Sequence, residues 1–374
     1  MTKWVTCLFL GSGASNELAG IPGTSHFLGE VLKNGRDKWI DDCGMTIGNE
    51  ALSSWMRRVG DLELCLSYLH QVASGGRRGD DPADSQKIPA IQTIINVRAA
   101  IAEYLRKIPI GVAQKKLQDQ FFKKLIGGHE SDLIILTTNY DLVIETLLSE
   151  RGAGWCYPEI PIADGGRIYS HRRGGVFERQ RNEIPIYKLH GSINWMEERW
   201  FGRNQPARDI PLKSIHPAEV HVQALSFKKT MECAQQKWAY LFKRGKKTYN
   251  PILIPFVFQK MDWLEDGRWR EIFQPHWNDA QNYLFGKRVR LFFLGYRLGS
   301  ADYHMLPWLL MLLGKAKNPK VTIITKGQNE NAAALHDPIK EPLERALYPY
   351  IDESRIYRSG LKEFLDDRTL FPEG

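Results

Sequence analysis

The sequence predicts a doubly wound α/β fold built on a mostly parallel, Rossmann-like sheet. Three observations carry that expectation. Short apolar runs without alternation recur along the 374 residues, at 5–10, 133–138, 184–189, 252–257, 290–294 and 321–325. Runs of that kind are the habit of strands covered on both faces. Most of them stop at Gly, Thr or a His-Gly pair, and open α/β sheets bind ligands beyond the carboxyl ends of their strands. Stretches of helical period lie between the runs, as parallel neighbours require a crossover.

The run at 133–141, LIILTTNYD, organises the rest. Its aliphatic residues lead through Thr137 and Thr138 into a polar turn, and Val143, Ile144, Leu147 and Leu148 then mark a helix face. Asn139 and Asp141 stand in that turn. Both are good helix caps and both are suited to hold a ligand, so the turn alone leaves the two readings open.

Taken in order, 5–10 is the first strand and ends at Gly11-Ser12-Gly13-Ala14-Ser15. Glycines after a strand let the backbone approach a pyrophosphate with amide donors turned toward it. The third glycine of the full dinucleotide fingerprint is replaced by Asn16, and a second rigid turn follows at 20–23 before a helix over about 25–32. From 45 to 126 the texture is helical: Ile94, Val97, Ile101 and Leu105 share one face, and Leu117, Phe121 and Leu125 another. This stretch reads as a helical insertion, its stripes as core. After the 133–141 segment, Gly165-Gly166 and Gly174-Gly175 mark hairpin turns. The strand at 184–189 ends in His190-Gly191-Ser192, where the missing side chain of Gly191 is expected to leave the imidazole open to a ligand. Residues 196–250 are polar and basic, a second insertion with one helix over about 234–242. A helix over 269–285, a strand at 290–294 leading into GYRLGSAD, a strand at 321–325 and two short closing helices complete the chain.

Composition bounds the class of protein. With 43% hydrophobic and 25% charged residues the chain is of globular type, and its longest apolar stretch, 305–313, is too short to span a bilayer. The strand-like start has no signal-peptide form, so the expectation is a cytoplasmic protein without a membrane role. Five widely spaced cysteines with no CxxC pair give no disulfide framework and no legible metal site. The net charge of +8 permits contact with nucleic acid but does not require it, because the basic clusters sit beside Gly and polar residues.

Read together, GSGAS…GIP, TTNYD, KLHGS…W, LGYRLGSAD and VTIIT resemble, in order, the NAD-binding core of the sirtuin family. They resemble in particular the sirtuin-like proteins of bacterial anti-phage defence, which hydrolyse NAD+ and are often encoded beside a hexameric DNA-translocase ATPase or an Argonaute-type partner. The resemblance spans most of the chain outside the two insertions. Two departures stand out. Between His190 and the strand at 290–294 there is only Cys233, where protein-deacylating sirtuins carry a four-cysteine zinc ribbon, and Gly23-Thr24-Ser25 replaces the Asp-Phe-Arg that follows Gly-Ile-Pro.

The resemblance implies NAD+ as substrate, no metal, a homo-oligomer, and cleavage of the nicotinamide–ribose bond. On that reading Asn139 positions water or a ribose hydroxyl and His190 is the base. Asp141 either orients the site or favours the developing cation, and the resemblance implies orientation. Gly11, Ser12, Gly13, Ala14 and Ser15 would wrap the pyrophosphate, with Gly295, Ser300 and Thr325 toward the adenosine half. Two alternatives stay open: an NAD-dependent protein deacylase, and a catalytically silent NAD- or ADP-ribose-binding subunit of a DNA-associated complex.

Overall fold

The computed structural model describes residues 4–74, 84–108, 114–127, 132–158, 162–164, 167–169, 172–173, 176–177, 183–200, 212–215, 242–244, 247–253, 267–298, 302–326, 342–367 and 369. The chain divides into two compact units, one of residues 1–21, 109–191 and 269–374, the other of residues 22–108 and 192–268. The segments read as two insertions thus have their bounds shifted, to 22–108 and 192–268, and share one unit. Residues 115–126, expected within the first insertion, belong to the unit that carries the sheet.

That first unit is the predicted α/β body. Its strands are β1 (Trp4–Leu10), β2 (Leu133–Thr137), β3 (Gly154–Cys156), β4 (Glu183–Lys188), β5 (Arg288–Leu294), β6 (Lys317–Ile324) and β7 (Ile351–Tyr357). They form one sheet in the order β7-β6-β5-β1-β2-β4-β3, and every pairing in it is parallel. The order reverses between β1 and β5, where the chain builds outward on one side and later on the other. Such a switch point opens a crevice beyond the strand ends.

Helices cover both faces. On one, α4 (Gly267–Leu284), α5 (Met305–Lys315) and α6 (Pro342–Leu347) bring Ala280, Leu309 and Leu347 against Cys7, Phe9 and Phe293 of the sheet. The other face belongs to α1 (Ser12–Ala19), α2 (Lys115–Phe121), α3 (Val143–Glu150) and α7 (Leu361–Asp366), and there the ring of Phe364 lies 5.6 Å from that of Phe292. Two-sided cover explains β2, whose five residues are all buried. The edge strands β3 and β7 escaped the sequence reading. One is three residues long and the other, IDESRIY, is charged, which is how exposed sheet edges are kept from pairing further. On either side of the two expected turns, 162–164 is antiparallel to 167–169 and 172–173 to 176–177.

The second unit contains helices Thr24–Val31, Arg36–Asp41, Leu52–Val59, Leu62–Ser74 and Asp84–Lys107. The predicted stripe of Ile94, Val97, Ile101 and Leu105 is buried. Antiparallel pairs join Gly191–Trp200 to Leu212–Ile215 and Phe242–Arg244 to Lys247–Leu253. Most of the helix expected over 234–242 lies outside the described residues, and its last position, Phe242, is in a strand. Of the strand expected at 252–257, residues 252 and 253 end the strand Lys247–Leu253 and the rest lies outside the described residues. Among the described residues no helix is long and apolar enough to cross a membrane.

One buried titratable group of the first unit has a consequence for stability. His276 on α4 is fully buried and donates from Nδ1 to the Pro158 carbonyl at 2.9 Å. Burial pushes its pKa down from 6.5 to about 4 because the cation is poorly solvated there. The unfolded chain therefore takes up this proton before the folded one. Its contribution is complete above pH 6.5 and is lost as pH falls through about 4, a loss of ~3 kcal/mol. Urea unfolding of His276→Leu at pH 7 and pH 4 is expected to show a smaller difference between the two than the parent protein shows.

Candidate active site at the carboxyl edge of the sheet

The site begins with a shared rung. Thr137 is in register with Leu10 and with Lys188, Leu10 with Leu294, Leu294 with Ile324, and Ile324 with Tyr357. Six strands therefore end at one level. Asn139 and His190 each stand two residues past that rung, on adjacent strands, and the Leu189 amide donates to the Thr137 carbonyl at 2.8 Å.

At the switch point the glycines are spent on close approach of backbone to backbone. The Gly11 amide donates to the Leu294 carbonyl and the Gly13 amide to the Gly295 carbonyl, each at 2.9 Å, while the Ala14 amide donates to the Gly11 carbonyl at 3.0 Å. A Cβ on Gly11 would lie 2.4 Å from Tyr296 Cα, and one on Gly295 would lie 2.2 Å from the Ala14 nitrogen. Gly295 also has φ +60°, a left-handed conformation that favours glycine. The expectation that amides of Gly11, Gly13 and Ala14 face a pyrophosphate is thus corrected, since all three already donate to backbone. Ser12 begins α1 and is exposed, so the positive end of α1 and the Ser12 side chain are what this loop offers an anion.

Asn139 is held from both sides. Its Nδ2 donates to the Gly11 carbonyl at 2.8 Å and to Ser15 Oγ at 2.9 Å, and its amide donates to Thr137 Oγ1 at 3.0 Å. With both amide hydrogens engaged, Oδ1 is the atom left to accept from a ligand. Ser15 Oγ in turn donates to Asp141 Oδ2 at 2.7 Å, and Asp141 Oδ1 accepts from the Val143 amide at 3.0 Å. Asp141 thus holds the first amide of α3 with one oxygen and orients Ser15, which orients Asn139, with the other.

Beneath this chain lies a residue that sequence reading missed. Lys188, the last residue of β4, is fully buried; its Nζ donates to the Asp141 carbonyl and lies 3.1 Å from Glu145 Oε1, which also accepts from the Tyr157 hydroxyl at 2.7 Å. A lysine ending an apolar run was the available signal.

His190 is 1% exposed, which overturns the open imidazole expected from Gly191. That glycine is explained by its own backbone, at φ +89°. The ring faces the turn after β5: Nε2 is 3.8 Å from Asp302 Oδ1, and the ring centre 5.5 Å from that of His304. Trp277 stacks on His304 at 5.9 Å and donates from Nε1 to the Leu189 carbonyl at 3.1 Å. Asp302 and His304, both partly exposed, are further site residues that sequence reading did not select, although Asp302 closes the LGYRLGSAD motif. Thr325 is buried one residue past β6, its amide donating to the Tyr357 carbonyl at 2.9 Å. Ser300 lies outside the described residues.

In parallel α/β sheets a switch point lined with polar groups is where ligands bind. The comparisons sharpen that reading. A family model described as SIR2-like domain matches residues 133–243, the stretch holding Asn139, Asp141, Lys188 and His190, so this part of the chain is similar to sirtuins. No curated protein matches the chain. SIR2-like domains bind NAD+, which fits NAD+ as substrate and an NAD-related activity in the broad sense.

Three stability outcomes follow from this geometry. Lys188→Ala leaves Glu145 buried without its cation and is expected to cost about 3–5 kcal/mol in urea unfolding. Glu145→Leu combined with Lys188→Met is expected to unfold closer to the parent than Lys188→Ala does. Gly295→Ala adds a methyl where there is no room and a left-handed strain, and at least ~2 kcal/mol of destabilisation is expected by the same measurement.

Proposed function

We propose that the protein is an NAD+ nucleosidase, transferring the ADP-ribosyl group of NAD+ to water with release of nicotinamide. The observation that carries this reading is the pairing of a fully oriented amide, Asn139, with an imidazole, His190, two residues past the same rung of adjacent parallel strands.

Nicotinamide departs as a neutral molecule from a cationic nitrogen, so no general acid is required. The work left is to hold the ribose, favour an oxocarbenium-like sugar and place a water. Asn139 Oδ1 accepts a hydrogen bond from water or a ribose hydroxyl and brings no titrating charge. Its direction is set by Gly11, Ser15 and, through Ser15, Asp141. His190 accepts the proton lost as water bonds to carbon 1 of the ribose, and the bond to the nicotinamide nitrogen breaks with its electron pair leaving on that nitrogen. NAD+ and water thus become ADP-ribose, nicotinamide and one proton. The family resemblance supports depletion of NAD+ in anti-phage defence as the setting, with a homo-oligomer or a DNA-translocase or Argonaute-type partner as the gate.

The test is incubation of purified protein with NAD+, with and without DNA, and chromatographic identification of products. Nicotinamide and ADP-ribose are expected in equal amounts. Asn139→Ala and His190→Ala are each expected to keep the parent circular dichroism and to lose about 10²-fold or more in rate. Rates unchanged in either folded variant, or NAD+ left intact under both conditions, would overturn the reading.

A further inference from the structure

We propose that His190, Asp302 and His304 form a binding site for one divalent cation of the zinc class, and that the cation and the proton-accepting role of His190 exclude one another. One ligand atom from each of the three residues lies within 4.8 Å of the other two. The set is two imidazoles and one carboxylate, a donor combination suited to zinc and its neighbours, with room for a fourth ligand from solvent.

The spacing is close to what a shared cation would need. His190 Nε2 and Asp302 Oδ1 are 3.8 Å apart. Bonds of about 2.0–2.2 Å in a tetrahedron put ligand atoms roughly 3.3–3.6 Å apart. The remaining contraction falls on Asp302 and His304, the two partly exposed members, which sit on the short turn before α5. His190 is buried at the end of β4 and provides the fixed corner.

The surroundings are those of a supported ligand set. Trp277 stacks on the His304 ring and is anchored to the Leu189 carbonyl, so one side chain braces His304 and the strand end that carries His190. The exclusion rests on the hydrolase reading. A cation on His190 Nε2 occupies the lone pair that would take the proton from water, and binding involves no electron transfer, only displacement of any proton on the ligands.

The test is zinc titration of the metal-stripped protein against a chromophoric chelator, with cobalt(II) as a spectroscopic stand-in. One equivalent is expected to bind, with affinity at least about tenfold lower in Asp302→Asn and in His304→Gln and unchanged in His26→Gln, an exposed control in the other unit. Cobalt is expected to give visible d–d absorption that His304→Gln abolishes. Lack of saturable zinc binding, or binding equal in the parent and both site variants, would overturn the site. In the activity arm, zinc is expected to slow NAD+ cleavage at least tenfold and a chelator to restore it. Cleavage unaffected by saturating zinc would overturn the exclusion. Zinc binding without any cleavage would refute the hydrolase reading and leave the site standing.

Discussion

The constraint on which this molecule depends is the common level at which six parallel strands stop. Ile324, Leu294, Leu10, Thr137 and Lys188 lie on one rung, with Tyr357 beside Ile324. The ladder runs one step further. Gly11 donates to Leu294, Gly295 to Ile324, Thr325 to Tyr357, Thr138 to Leu10 and Leu189 to Thr137. Each loop thus leaves its strand with its first amide already satisfied by a neighbour, as a buried backbone requires. Side chains one to five residues further on converge above a rigid edge instead of scattering over a surface.

Polar groups are then ordered in layers. Lys188 and Glu145 form the deepest, tying β4 to α3 beneath the turn; Asp141 and Ser15 form the next; Asn139 is the outermost. Each layer takes up hydrogen-bonding capacity of the one above, so the Asn139 side chain is left with one acceptor, Oδ1. A buried network of this kind is stable only when its members are satisfied, which explains why caps and ion pairs surround residues proposed to act on a ligand. Holding the turn and orienting Ser15 do not compete, because Asp141 uses a different oxygen for each.

The side of the site built by β5 is of a different character. Here two imidazoles and a carboxylate, His190, Asp302 and His304, come together, and Trp277 stacks on His304 while donating to the Leu189 carbonyl.

What the sequence by itself determined was local in nature. Apolar runs without alternation announced strands covered on both faces, the Val143–Leu148 stripe announced its helix, and TTNYD and LHG announced polar strand ends. Each of these depends on residues near one another in the chain. Tertiary structure alone decided the rest. The charged strand Ile351–Tyr357 joins the sheet because β6 offers an edge, and nothing in its composition says so. Gly11 and Gly295 are required by each other, across a gap in sequence that no local pattern spans. Gly191 answers to a left-handed backbone, and the imidazole before it is covered by residues that arrive more than a hundred positions later. Burial, register and close approach are properties of which strand lies beside which, and that is settled only when the distant segments meet.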